Sequence, residues 1–182
     1  IAVVGSGLVG TLLSIYLKRL GHTVHVFDRS KDIRTIDFTG RSINLAMSTR
    51  GWRALEGVGI AEEVYKVGIP MNKRAIHLPN QDLKYQPYGL NGESIFSISR
   101  GGLNKLIIDI AEKQGVEFKF ETRIWDIEME TATLYTGETE RSEWTELKYD
   151  MIFGADGAFS RVRHRMQRQN RFNYSQFFLN TR

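Results

Sequence analysis

The apolar positions change period twice within the first thirty residues of the chain. Residues 1–4 (Ile-Ala-Val-Val) form an unbroken apolar run closed by Gly5, the pattern of a strand buried on both faces. Apolar residues then recur at helical spacing (Leu8, Leu12, Leu13, Tyr16, Leu17, Leu20) up to a stop at Gly21. Residues 23–27 return to a strand pattern. Strand, helix and strand in so short a stretch predict a βαβ unit, and with it an α/β fold on a parallel sheet.

A polar loop is expected over 29–40, a short apolar run over 43–47, and helices over 49–55 and 61–67. The character then changes. Residues 75–78, 83–85 and 94–98 read as strands broken by Pro79, Pro87 and Gly89, which predicts an antiparallel insertion. Helical spacing returns over 103–113 and ends at Gly115. Strands are expected over 116–120, 124–130, 132–135 and 151–153, followed by a helix from 160 to 167. There is no internal repeat and no low-complexity linker.

Composition narrows the class. With 182 residues and 41% hydrophobic content, the chain can build one core or part of a larger one. No apolar run approaches the ~18 residues of a membrane span. The absence of Cys excludes disulfides, thiolate metal sites and a Cys nucleophile. No signal peptide is visible, and a first residue other than Met, already in a strand-like run, suggests that sequence precedes it. Residues 1–156 carry a net charge of −2, whereas 157–182 hold six Arg and no acid. Such a tail could meet nucleic acid or anionic lipid. Phe172, Tyr174, Phe177 and Phe178 favour another reading, in which the tail begins a further packed unit whose acidic partners lie outside this sequence. No nucleic-acid partner is therefore expected. The four histidines (His22, His25, His77, His164) lack metal-ligand spacing; His25 and His77 read as structural residues in strands, and no metal is assigned.

Gly5-Ser6-Gly7-Leu8-Val9-Gly10 is a G-x-G-x-x-G run between strand and helix. Gly5 permits the tight turn, Gly7 lets backbone approach a pyrophosphate, and Gly10 lets helix and strand pack closely. The helix start adds free N–H groups and partial positive charge for an anion. Asp28, about 20 residues on, stands where a carboxylate accepts ribose hydroxyls and would repel a 2′-phosphate. The glycines alone could be a mere turn; in this context they point to NAD or FAD. A second segment, Gly154-Ala155-Asp156-Gly157-Ala158-Phe159-Ser160-Arg161-Val162-Arg163, again joins a buried strand to a helix, and Asp156 there could also cap that helix.

This second segment resembles the G-A-D-G-x-x-S-x-V-R motif of the class A flavin-dependent aromatic hydroxylases, which favours FAD. Gly40-Arg-Ser-Ile-Asn-Leu-Ala-Met-Ser48, Tyr85-Gln-Pro-Tyr-Gly89, Phe96-Ser-Ile-Ser-Arg-Gly-Gly-Leu-Asn-Lys105 and Arg171-Phe-Asn-Tyr-Ser-Gln176 are similar to the kynurenine 3-monooxygenase family within that class. The resemblance implies a Rossmann-like, glutathione-reductase-type FAD-binding domain in two parts, 1–68 and 99–168. Residues 69–98 would begin the substrate sheet as an antiparallel insertion, and 169–182 would start a return to it. More chain is expected beyond Arg182, and the 182-residue chain alone is expected to be inactive.

The resemblance also implies site residues. Gly5, Gly7, Leu8, Val9, Gly10, Asp28, Arg29, Ala46, Arg100, Ile124, Asp156 and Ser160 would hold FAD, with Arg100 along the flavin and Ala46 touching it by backbone. Asp28 replaces the commoner Glu and still has the reach for a ribose. Arg74 and Tyr88 would bind the amino-acid carboxylate of L-kynurenine, by two charge-assisted hydrogen bonds and a third from the phenol. Without the resemblance, Arg74 reads as a solvated strand-edge charge and Tyr88 as core. The implied reaction is 3-hydroxylation of L-kynurenine with NADPH and O2 through a flavin C4a-hydroperoxide, without a catalytic base. Another anionic aromatic substrate, or a non-catalytic dinucleotide-binding piece, are the alternatives. Family members in bacteria are expected in the cytoplasm, and eukaryotic ones on a membrane through a C-terminal part.

Overall fold

A computed structural model describes residues 1–36, 44–79, 82–170 and 172–177. The expected strand start at 43, residues 40–43 of the Gly40–Ser48 segment, Arg171 and Phe178 lie outside the described residues.

The chain opens with β1 (Ala2–Val4), α1 (Leu8–Arg19) and β2 (His25–Phe27). A 3-10 turn at Ile33–Thr35 interrupts the polar loop. β3 (Asn44–Met47), α2 (Thr49–Glu56), α3 (Ala61–Tyr65), β4 (Ile69–Met71), β5 (Lys73–Ile76), β6 (Lys84–Pro87) and β7 (Ile95–Ser99) follow. α4 (Arg100–Lys113) leads to β8 (Glu117–Lys119), β9 (Ile124–Glu128), β10 (Thr133–Thr136), β11 (Thr145–Lys148), β12 (Ile152–Gly154) and α5 (Arg161–Gln167).

The centre is a parallel sheet in the order β12-β1-β2-β8. β1 is inner and buried at every position, as its unbroken apolar run requires. Its side chains alternate between two cores. Val3 faces the layer of α1 and α4 with Ile15, Val24, Val26, Leu103 and Ile107. Ala2 and Val4 face the opposite layer with Phe27, Ile124, Ile127, Leu134 and Val162. That second layer is the antiparallel meander β11-β10-β9, with α5 packed on β9.

The expected insertion divides into two sheets. β7 is the middle strand of β3-β7-β4, whereas β5 and β6 pair only with each other among the described strands. Residues 94–98 were expected in one insertion with 75–78 and 83–85; instead Leu45↔Ile98 and Met47↔Phe96 face each other and turn toward the core under α2 and α3. The strand expected at 75–78 begins two residues earlier, so His77 lies past its end, and Pro87 finishes β6 opposite Lys73 rather than breaking it.

Two arginines of the tail, Arg161 and Arg165, meet acids inside this chain, where such partners were expected outside it. Arg161 donates to the Trp125 carbonyl at 2.6 Å and pairs with Glu140 at 3.0 Å. Arg165 donates to the Ile127 carbonyl at 3.0 Å and lies 3.5 Å from Asp126. These acids sit on β9 and in the β10–β11 turn, which the fold folds back over α5. Among the described residues, no helix is long and apolar enough to cross a membrane, and no cluster of His and acidic residues could hold a metal ion.

Candidate functional site: a cleft at the ends of parallel strands

β1, β2 and β12 end side by side, and their loops meet at the carboxyl edge of the sheet, where open α/β sheets bind ligands. Gly5, at φ +107°, makes the first turn; a Cβ there would lie 2.5 Å from the Ala155 carbonyl oxygen. The two glycine turns are thus packed on one another. Gly10 is equally confined, since its Cβ would fall 1.9 Å from the Gly5 carbonyl oxygen. Gly7 is the opposite case, with no atom within 4 Å of a Cβ. It caps α1 without a side-chain acceptor, and the first helical turn holds no acid. The N–H groups at that helix end therefore face open space, where an anion is favoured.

These turns border a cleft of about 640 Å³, within the range of small-molecule sites. Gly5, Gly7, Leu8, Val9, Asp28, Arg29, Arg100, Ile124 and Asp156 all line it. Five elements distant in sequence thereby converge. Gly10 lies behind, at the helix–strand contact. Ser160 is buried; its hydroxyl donates to Asp156 at 2.6 Å and accepts from the Arg163 N–H at 2.9 Å as the cap of α5. Ala46 is exposed on β3, outside the lining described here.

Asp156 also accepts from the N–H groups of Arg161 (2.6 Å) and Val162 (3.3 Å), so it is both a helix-capping group and a cleft residue. Asp28 accepts from the Ser6 N–H (2.7 Å) and hydroxyl (2.8 Å) on Oδ2 and from the Ser30 N–H (2.8 Å) on Oδ1. Burial alone would raise its pKa; the Ser30 and Ser6 donors outweigh burial and hold it below the usual carboxylate value. An ionised acceptor with lone pairs to spare at this distance from a helix start fits a ribose, and the open Gly7 fits a pyrophosphate.

Sequence reasoning missed Arg123, Trp125, Phe159 and Glu140 in the lining. The Arg123 guanidinium stacks 4.4 Å over the Trp125 ring, and the Trp125 indole N–H donates to the Gly137 carbonyl at 2.9 Å. No motif announces Arg123, Trp125 or Glu140, which β9 and the β10–β11 turn bring to the sheet edge, whereas Phe159 stands at an unspecified position of the second motif.

Arg74 and Tyr88 lie away from the cleft, on the β5–β6 hairpin. Arg74 pairs in register with Gln86 and donates to its Oε1 at 2.5 Å. The Tyr88 N–H donates to the Asn72 carbonyl at 3.1 Å, which extends the ladder by one pair. Continued alternation beyond the end of β6 would put Tyr88 on the face of Arg74 and Gln86, diagonal to Arg74. Lys73 and Tyr85 take the other face, the ammonium 4.4 Å over the ring.

The chain is 68% identical over 180 residues to a kynurenine 3-monooxygenase of Flavobacterium johnsoniae, covering 99% of this chain and 40% of that protein. It is 36% identical over 182 residues to the protein of the same name from Anopheles gambiae, covering 98% of this chain and 37% of that one. The chain thus spans about 40% of the length of these relatives. Among solved structures, it superposes on 2-methyl-3-hydroxypyridine-5-carboxylic acid oxygenase with a TM-score of 0.75 at 22% identity, covering 91% of this chain and 41% of that one. The flavin-dependent monooxygenase PieE, solved with FAD and substrate, gives 0.73 at 17% identity, covering 91% and 31%. At such identities the shared property is the fold. The FAD binding domain family matches residues 1–176, nearly the whole chain, and the chain belongs to that family.

Proposed function

We propose that the protein hydroxylates L-kynurenine to 3-hydroxykynurenine, with FAD in the cleft, NADPH as reductant and O2 as co-substrate. FAD, when bound, supplies the redox chemistry by which one oxygen atom of O2 reaches the aromatic ring. The chain's own residues bind and orient. Asp28 accepts the adenosine ribose, the start of α1 over Gly5–Gly10 meets the pyrophosphate, and Arg29, Arg100, Ile124 and Asp156 border the rest of the cofactor. Ser160 holds Asp156, and Ala46 approaches the flavin from β3. Arg74 and Tyr88 grip the substrate carboxylate, so residues 69–98 belong to the substrate side and 1–68 with 99–168 to the cofactor side.

What supports the substrate assignment is a hairpin outside the cofactor cleft that carries Arg74 in register with Gln86 and Tyr88 one ladder step beyond. A guanidinium and a phenol on diagonal positions suit one carboxylate, and Gln86 keeps the guanidinium extended until it arrives. The test is kynurenine-dependent oxygen uptake by the purified full-length protein, with 3-hydroxykynurenine identified by mass. Product formation supports the reading. Oxygen consumed with another anionic aromatic compound, and none transferred to kynurenine, overturns it.

A further inference from the structure

The variable position inside the glycine run carries a side chain whose partners set it apart. Ser6 is only 7% exposed and does not itself line the cleft. Its N–H and its hydroxyl both donate to the same oxygen, Oδ2 of Asp28. Its carbonyl accepts from the fully buried Thr11 hydroxyl at 2.9 Å, and the Ser14 hydroxyl in turn donates to the Thr11 carbonyl at 2.6 Å. Residue 6 is therefore held from both sides, by α1 behind it and by Asp28 in front.

A carboxylate turns readily about its terminal torsion, because such torsions are broad and two-fold. One N–H on each oxygen limits that rotation loosely. A second donor on Oδ2 fixes the plane and fills that oxygen. The two oxygens offer about four lone-pair sites; Ser6 takes both on Oδ2, so the acceptor capacity that remains is on Oδ1, which is shared with Ser30. Building on the FAD reading above, we propose that the Ser6 hydroxyl is a positioning group of the cofactor site, which locks Asp28 so that its remaining acceptor on Oδ1 serves a ribose hydroxyl. Alanine at position 6 would keep the N–H and lose the lock.

The test titrates FAD into the apo form of the full-length protein, following flavin fluorescence. Ser6→Ala is expected to weaken FAD binding roughly tenfold, about the effect of one hydrogen bond to a charged group, and Ser6→Thr to restore it. In an Asp28→Asn background, Ser6→Ala should add nothing. With one donor fewer, Asp28 takes up a proton more readily, so FAD affinity in Ser6→Ala should decline at higher pH than in the unsubstituted protein. The other charged groups of the cleft (Arg29, Arg100, Arg123, Glu140, Asp156, Arg161) are the same in both proteins and cancel in that comparison. Equal affinity and an unmoved pH profile in Ser6→Ala overturn the proposal, as does an equal loss in the Asp28→Asn background. An unsubstituted protein that takes up no FAD removes the cofactor reading and this proposal together, which is a different result from either.

Discussion

Gly7 and Gly10 lie three residues apart, and adding one methyl group to each should have opposite consequences. At Gly10 the new Cβ would sit 1.9 Å from the Gly5 carbonyl oxygen and 3.1 Å from the Ala155 Cβ. An ordinary C···O contact is about 3.3 Å, so α1 would have to retreat by more than ~1 Å. Neither obstacle is a flexible side chain, which puts the overpacking cost at the top of its usual range, ~3 kcal/mol. Alanine recovers ~1 kcal/mol of helix propensity, leaving a net loss of ~2 kcal/mol. For a domain of this size that lowers Tm by roughly 4–8 °C. At Gly7 there is no atom within 4 Å and φ is −69°, so alanine fits; the poorer cap costs at most ~1 kcal/mol. Its methyl group, however, would stand where the pyrophosphate proposed above approaches. Thermal unfolding of the apo forms and flavin absorbance of the purified proteins read the two effects separately. Gly10→Ala should unfold early, and Gly7→Ala should be stable but colourless. A fully yellow Gly7→Ala protein, or a Gly10→Ala protein with unchanged Tm, would refute the reasoning.

Arg74→Ala should weaken kynurenine binding by the full-length protein roughly tenfold, about the effect of one hydrogen bond to a charged group, while flavin content stays normal; unchanged kynurenine titration would dismiss the clamp. Arg34 pairs with Asp32 at 2.6 Å, Asp109 at 2.8 Å and Glu112 at 2.5 Å, tying the loop after β2 to α4. Because two of those acids are 40–48% exposed, Arg34→Met should cost only ~1–2 kcal/mol in urea unfolding, less in high salt; a salt-independent loss would contradict an electrostatic origin. The lowered pKa of Asp28 stabilises the fold above the carboxylate's unfolded value, and that contribution disappears as pH falls through the folded value. Asp28→Asn should therefore be less stable than the unsubstituted protein at pH 7, and the gap should narrow on acidification, as paired urea melts would show.

The sequence announced the first βαβ unit because three signals coincide there: an unbroken apolar run, helical spacing and glycines at the two bends. β4 and β11 carried no such signal. Ile69-Pro70-Met71 contains a proline, and Thr145–Lys148 has the composition of a loop; each is a strand because a neighbour offers hydrogen bonds at the right register. Period-two alternation tells which face a residue takes but not which strand it lies against, so β7 was expected with the hairpin and is found between β3 and β4. The glycine loop, Asp28 and the second turn at Gly154 were legible as motifs. The lock between Ser6 and Asp28, the Arg34 cluster and the acids that meet Arg161 and Arg165 were not, since each joins groups from 21 to 78 residues apart.

β7 ends at Ser99 and α4 begins at Arg100, with no residue between them. Ser99 closes the junction by accepting the Gly102 N–H at 3.3 Å. The strand is clamped by a partner on each side, and the first residue of the helix is the arginine that borders the cleft. The backbone here works as a crank with no slack. With no linker residue to absorb it, a tilt of the β3-β7-β4 sheet would carry Arg100 along.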